Sequence, residues 1–298
     1  MASHPPSPAP TPQPSERASI SAEINIATRK QHTELNRLII ERLPLALPPH
    51  SSNPALLGQG LAAFAKIFFV FEAVWASLDD GKTAQDGGKA GDTRKTELLS
   101  RLKCLRPEVM ERSQRLATDL RHIERITGQD WSHHTSAELP VGQGLIAKPH
   151  LLLAYAWVMY MAIFSGGRWI RQQLQSAGPV FWAAPVGITV DDSKKSAGVM
   201  PGFSFLCFEG EQDGEDIKRD FKPRLAETEA LLNYEERQEV IHEARRLFEH
   251  CVALVHQLDD LVLKQRLVRV AGVAALLGLL LVALVWLYWY DQYGYLST

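Results

Sequence analysis

The sequence lacks several features that would fix a function class early. Only three cysteines occur in 298 residues, Cys104, Cys207 and Cys251. They are far apart and odd in number, so they offer neither metal-ligand spacing nor a disulfide framework, and they point to a reducing compartment. No charge of one sign dominates: 32 Lys and Arg stand against 34 Asp and Glu, a net charge of −2. That balance argues against a basic surface for nucleic acid. Phosphate-binding glycine loops are missing, as are Ser-His-Asp and Cys-His nucleophile motifs. There is no internal repeat, and β-like runs are few and isolated, so no sheet is expected. No apolar run opens the chain. Residues 1–19 are Pro/Ser-rich and are expected to form a disordered tail without a cleavable signal.

What is present reads as helix after helix, an all-α class. Ser21 is the expected cap of a first helix over 22–43, which "LPLALPP" stops. A Phe-rich second helix covers 54–78, and "DDGKTAQDGGKAGDTRK" reads as an exposed loop. Helices follow over 96–104 and 107–126, then a polar loop containing His133 and His134. A long apolar helix over 149–175 is interrupted by Gly166 and Gly167. "GFSFLCF" is too short to assign; helices over 215–232 and 235–264 complete the domain, the last able to run on toward the C-terminus.

The C-terminal part carries the longest apolar run. "VAGVAALLGLLLVALVWLYWY", residues 270–290, contains no charge. At 1.5 Å per residue it spans ~31 Å, the thickness of a bilayer core. Trp286, Tyr288, Trp289 and Tyr290 form an aromatic belt at its far edge; Lys264, Arg266 and Arg269 flank the near edge. Positive residues stay on the cytosolic side, so the large domain is expected to face the cytosol. The expected organisation is a tail at 1–19, a helical domain at 20–265, a transmembrane tail anchor at 266–290 and a short lumenal tail at 291–298. The endoplasmic reticulum is the expected membrane.

Two stretches carry chemistry. "IATRKQHTELNRLI", 26–39, sets one histidine, His32, on an otherwise ordinary helix. "YMAIFSGGRWIRQQL", 160–174, puts two adjacent glycines inside an apolar one. Each glycine costs roughly 1 kcal/mol against alanine in a helix. A helix keeps such a pair when it must bend or when something large lies against its backbone. A haem would fit between two such faces, with imidazole on the iron from one side and bare backbone across the other.

"ATRKQH", 27–32, resembles the proximal-helix motif of haem oxygenases, and "SGGRWIRQQL", 165–174, resembles their distal-helix motif. "IKRDFKPRL", 217–225, is similar to their propionate-contacting segment, and "RQEVIHEARRLFEHCVALVHQL", 237–258, to their last core helix. The likeness covers most of 20–262, is patchy between 80 and 145, and is closest to divergent fungal members with a C-terminal anchor. It implies a multi-helical haem-oxygenase-like domain. It also implies iron protoporphyrin IX on His32, with Arg29, Lys218 and Lys222 toward the propionates and Phe248 at the haem edge. Gly166 and Gly167 would border the distal face, and Arg168 is a candidate distal donor. The implied reaction opens haem to biliverdin, Fe2+ and CO, using O2 and electrons from a membrane-bound NADPH–cytochrome reductase.

One departure weakens that implication. The family pattern has Gly-Asp ahead of the Ser-Gly-Gly, where this sequence has Ala162 and Ile163. The aspartate would hold distal water that guides oxygen chemistry, and an isoleucine neither donates nor accepts a hydrogen bond. Val158 and Met159 likewise stand where polar residues are common. The expected distal side is dry, and activity is expected to be altered or weak. A non-degrading haem buffer, sensor or adaptor on the membrane is the alternative. A di-iron oxidase is a third possibility, resting on Glu239 with His242 and on Asp119 with His122.

Overall fold

The computed structural model describes residues 18–78, 90–131, 141–183 and 202–293. The expected tail up to residue 17 lies outside the described residues, as do loop residues 79–89 and the pair His133 and His134. Among the described residues every regular element is helical and none is a strand, as the sequence pattern requires.

Helix α1 (Ile20–Arg42) begins two residues earlier than expected. Its cap is Ser19, whose Oγ accepts the Ala22 N–H at 3.3 Å. Ser21 is instead already helical, its hydroxyl 2.9 Å from that of Ser19. The helix buries Ile20, Ile24, Thr28 and Leu38 and ends in a 3-10 turn, Leu43–Ala46, where "LPLALPP" lies. Helix α2 (Ala55–Ser77) runs through the centre of the core, burying Phe68, Phe71, Val74 and Trp75. A side chain at Gly58 would meet the Trp131 ring at 2.4 Å, so only a glycine lets the two approach there.

Helix α3 (Ala90–Leu105) is longer than the expected 96–104, because what reads as loop up to Lys95 is partly helix. The extension is held from outside: Arg94 pairs with Glu236 at 2.6 Å and donates to the Leu231 carbonyl. The expected helix over 107–126 is really a 3-10 turn, Glu108–Met110, followed by α4 (Ser113–Thr127). The break follows from tertiary capping. Buried Glu72 on α2 accepts the backbone N–H groups of Arg112 and Ser113 and thereby fixes where α4 starts. A short helix, α5 (Val141–Ala147), has no counterpart among the expected elements; it buries Leu145.

The long apolar helix is observed as two pieces, α6 (Pro149–Phe164) and α7 (Gly166–Ser176), bent by 42° at Ser165. Inside α6, Ala156–Tyr160 is a π turn, a local widening that the sequence did not announce. "GFSFLCF" contains one 3-10 turn, Ser204–Leu206. Asp119, only 1% exposed, anchors this segment by accepting the N–H groups of Gly202 and Phe205. Helix α8 (Glu215–Glu229) stops three residues short of the expected end.

Helix α9 (Tyr234–Tyr293) is a single element of 60 residues, ~90 Å long. Its first half lies parallel to α1. Arg237 pairs with Glu23, Gln31 donates to Glu249, and Arg42 pairs with Asp259, in ascending order along both helices. Among the described residues none packs over its apolar second half, which is long and apolar enough to cross a membrane. Helix α2 and the α6–α7 pair also pass that test of length and composition, but their apolar residues fill the core.

Candidate functional site: the space between α1 and the α6–α7 bend

On α1, Thr28 turns inward while Arg29, His32 and Asn25 are exposed. Asn25 and His32 are seven residues apart, two turns, and share a face with Arg29 between them. Behind His32 stands Phe248 of α9, 8% exposed, with ring centroids 5.7 Å apart and planes at 76°. The edge contact limits how the imidazole can turn. Arg29 makes no ion pair with any described residue, whereas Arg37 on the same helix holds both Glu34 and Glu41.

The second wall of the candidate site is the α6–α7 bend, joined to α1 through Trp157 and Asn25, and its two sides differ completely. Val158, Met159, Tyr160, Ile163, Phe164 and Gly167 are buried. Trp157 and Met161 are half-buried, and Ala162, Ser165, Gly166 and Trp169 are exposed. These six recur at helical spacing and make one open face. The glycines divide the same way. A side chain at Gly167 would meet Leu206 at 3.2 Å, whereas one at Gly166 would meet nothing within 4 Å among the described residues. Only Gly166 offers bare backbone to an incoming molecule.

Ile163 packs into the core, 6% exposed, with its Cγ2 3.7 Å from where a Gly167 side chain would begin. One turn away the Tyr160 hydroxyl donates to Glu72 at 2.8 Å. Burial, with the Glu72 carboxylate second, pushes the Tyr160 phenol well above its ordinary range. The polar groups behind the bend are thus neutral or engaged in holding α4.

Arg168 is not free at the open face. It donates to the Asp213 carbonyl at 2.8 Å and pairs with Glu215 at 2.6 Å, tying the start of α7 to the start of α8. Arg171 pairs with the Asp213 carboxylate, and the Arg171 hydrogen bond holds that carboxyl below its usual range. Lys218 belongs to the same cluster, 3.6 Å from Glu215, while Lys222 is exposed. The structure therefore brings His32 together with Phe248, and Arg168 together with Lys218 through Glu215.

The link between the two walls comes from residues that sequence reasoning missed. The Trp157 indole N–H donates to the Asn25 side-chain oxygen at 3.1 Å. The signal was weak but present: Trp157 leads a series of Trp157, Met161, Ser165 and Trp169 at four-residue spacing, all within the apolar helix.

The di-iron alternative fails here. Glu239 binds Lys148 at 2.5 Å and His150 at 2.7 Å, and the Lys148 hydrogen bond lowers its carboxyl pKa. His242 is exposed, and Asp119 and His122 serve the 202–205 segment and the Trp182 carbonyl. Among the described residues no cluster of three His, Cys, Asp or Glu could hold a metal ion.

Comparison with known proteins agrees with this architecture. The family model described as Heme oxygenase matches residues 93–257, more than half of the chain. The match includes the bend, α8 and the packed part of α9, and begins after α1. No curated protein matches the sequence. Among solved structures, haem oxygenase 2 from Chlamydomonas reinhardtii, crystallised without haem, superposes with a TM-score of 0.55 at 21% identity. That alignment covers 80% of this chain and 97% of the algal one. Haem oxygenase-2 from Synechocystis sp. PCC 6803, in complex with haem and NO, gives 0.56 at 18% identity, covering 82% and 87%. Haem oxygenase-1 from the same cyanobacterium, in complex with haem, gives 0.55 at 15%, covering 86% and 99%. At these identities the structures speak for the fold, and the family model speaks for descent: the chain belongs to the haem oxygenase family.

Proposed function

We propose that the chain binds haem between α1 and the α6–α7 bend, with the His32 imidazole on the iron. The observation that carries this is the pairing of two unfilled features: an exposed imidazole braced by Phe248, and Gly166 with open space where a side chain would stand. Arg29 carries a cation unpaired among the described residues, one turn from His32, suited to a propionate. Lys222 offers a second, and Lys218 a third that is already shared with Glu215. Bound haem would supply both the iron that activates O2 and the porphyrin that is opened. The reaction would convert haem to biliverdin, Fe2+ and CO, with electrons from an NADPH–cytochrome reductase on the same membrane. The anchor would place the large domain in the cytosol, at the endoplasmic reticulum.

The open face of the bend argues for slow turnover. Its polar side-chain groups are the Ser165 hydroxyl and the Trp157 and Trp169 indoles, none of which exchanges protons near neutral pH. Ile163 is a buried apolar side chain with no group to hydrogen-bond a water, and Arg168 is engaged by Asp213 and Glu215. Each missing hydrogen bond to a charged species costs roughly 1.5–3 kcal/mol, about one to two powers of ten in rate. The same observations favour the second reading, a haem-binding protein that does not degrade its ligand.

The test uses the full chain in detergent or nanodiscs, titrated with haemin and followed through the Soret band. Reductase, NADPH and O2 are then added, and biliverdin and CO are measured. Haem binding that His32→Ala leaves spectroscopically unchanged refutes the ligand assignment. Ile163→Asp should raise the biliverdin yield, although an uncompensated buried carboxylate there lowers stability by about 2–4 kcal/mol. Fast biliverdin formation by the unaltered chain, insensitive to that substitution, removes the argument for a weak enzyme.

A further inference from the structure

The parallel course of α1 and α9 decides which end of the domain faces the membrane. Arg42, the last residue of α1, pairs with Asp259, and Gly60 near the start of α2 lies against Leu258. The connector between α1 and α2, residues 43–54, is therefore at the level where α9 leaves the domain. From Asp259 to Val270 there are eleven residues of unbroken helix, ~16 Å. The 3-10 turn continues α1 for three more residues to Leu45, ~6 Å further in that direction. Leu45 thus stands ~10 Å above the uncharged run, at the outer margin of a headgroup layer roughly 5–7 Å deep. A tilt of about 20°, usual for a span, lowers an element ~10 Å to the side by ~3 Å.

The residues at this level suit an interface. Leu45 is 40% exposed, Leu261 39% and Leu263 56%. Below them Lys264, Arg266 and Arg269 are exposed and make no ion pair with described residues, while Asp259 is neutralised by Arg42. Apolar side chains just above a basic ring are what an anionic bilayer surface binds. An occupant is already supplied by continuity, because the helix that carries most of this patch runs on into the bilayer.

We propose that the underside of the domain, Leu45 with Leu261 and Leu263, docks on the headgroup region of the bilayer that α9 enters. The domain then rests on the lipid instead of swinging above it, and the three basic residues bias it toward anionic lipid. This rests on α9 being a membrane span, and the experiment separates the two claims.

The full chain carries Cys104→Ser, which removes its one exposed thiol, and is placed in nanodiscs with and without phosphatidylserine. Spin labels are introduced singly through Leu45→Cys, Arg219→Cys at an exposed position of α8, the helix whose end meets the start of α1, and Val273→Cys in the apolar run. Power saturation compares access of oxygen, which enters lipid, with access of a water-soluble nickel complex. The oxygen-to-nickel ratio at position 45 should exceed that at 219 several-fold, and rise further with phosphatidylserine. A ratio at 45 equal to that at 219, while position 273 reports lipid, overturns the docking and leaves the span standing. Water exposure at position 273 overturns both. Leu45 is exposed in the domain, so its replacement does not disturb the core.

Discussion

The two walls of the candidate site are built on opposite principles. The α1 wall presents chemistry and little packing: His32, Arg29 and Asn25 are exposed, and the Phe248 edge braces the imidazole. The wall formed by the bend presents almost no chemistry and heavy packing. Its titratable groups are turned inward, where Glu72 holds Tyr160 and α4, or sideways, where Arg168 holds α8. Substitutions on α1 should therefore change binding with little change in stability, and substitutions behind the bend should do the reverse.

The strongest attempt to break that contrast is Glu72→Ala. The carboxylate is 2% exposed and accepts from two backbone N–H groups, the Ser113 hydroxyl and the Tyr160 hydroxyl. Its loss leaves buried donors without an acceptor, and urea unfolding should show about 3–5 kcal/mol less stability. A smaller loss would mean that water replaces the carboxylate and that the bend is less rigidly backed.

The two glycines provide a matched pair. Gly167→Leu must displace Leu206 and should cost about 1–3 kcal/mol. Gly166→Leu meets nothing, so the melting temperature should hold or rise slightly, yet haemin binding should fail because the open space is filled. Equal effects of the two on melting would erase the distinction between the inner and outer sides of the bend.

His32→Ala sharpens the comparison from the other wall. Stability should change by less than about 0.5 kcal/mol, as for an exposed residue. Haemin affinity should fall at least tenfold, about 1.4 kcal/mol, with loss of the histidine-ligated ferric spectrum. The smallest effect concerns pH. Burial lowers the pKa of His122, which approaches the Trp182 carbonyl, and of His250. Their neutral forms favour the fold above the ordinary imidazole value of 6.5, and that contribution is lost as pH falls through the lowered values. Stability measured at descending pH should decline from about 6.5, and His122→Asn should flatten part of the slope.

Much of the α1 wall was legible because it depends on residue identity within one short stretch. "ATRKQH" names its histidine and its cation directly. The bend was legible as an event, since paired glycines interrupt an apolar helix, but its place at Ser165 and the π turn before it were not. Those depend on what α6 packs against. Long-range pairs were hidden for the same reason: Glu72 caps a helix 40 residues later, and Arg168 meets Asp213 and Glu215 across 45 and 47 residues. The early start of α3 was hidden too, because Glu236 on α9 supplies the partner that holds Arg94. The shift of the first cap from Ser21 to Ser19 has a local cause: two serines stand two residues apart, and the burial of Ile20 selects the earlier one.

Helix α9 has no joint between the Phe248 that braces His32 and the apolar run that starts at Val270. With the apolar run as a span, twenty-two residues of rigid rod would set the imidazole ~33 Å along that axis from the bilayer core. A rod transmits angle as well as height. If the apolar run leans to match a thinner membrane, the α1 face leans by the same angle, because the two helices are pinned at three levels by ion pairs and hydrogen bonds. In the proposed membrane-anchored arrangement, bilayer thickness would become a mechanical input to how the proposed haem-facing surface is presented to anything else diffusing on that membrane.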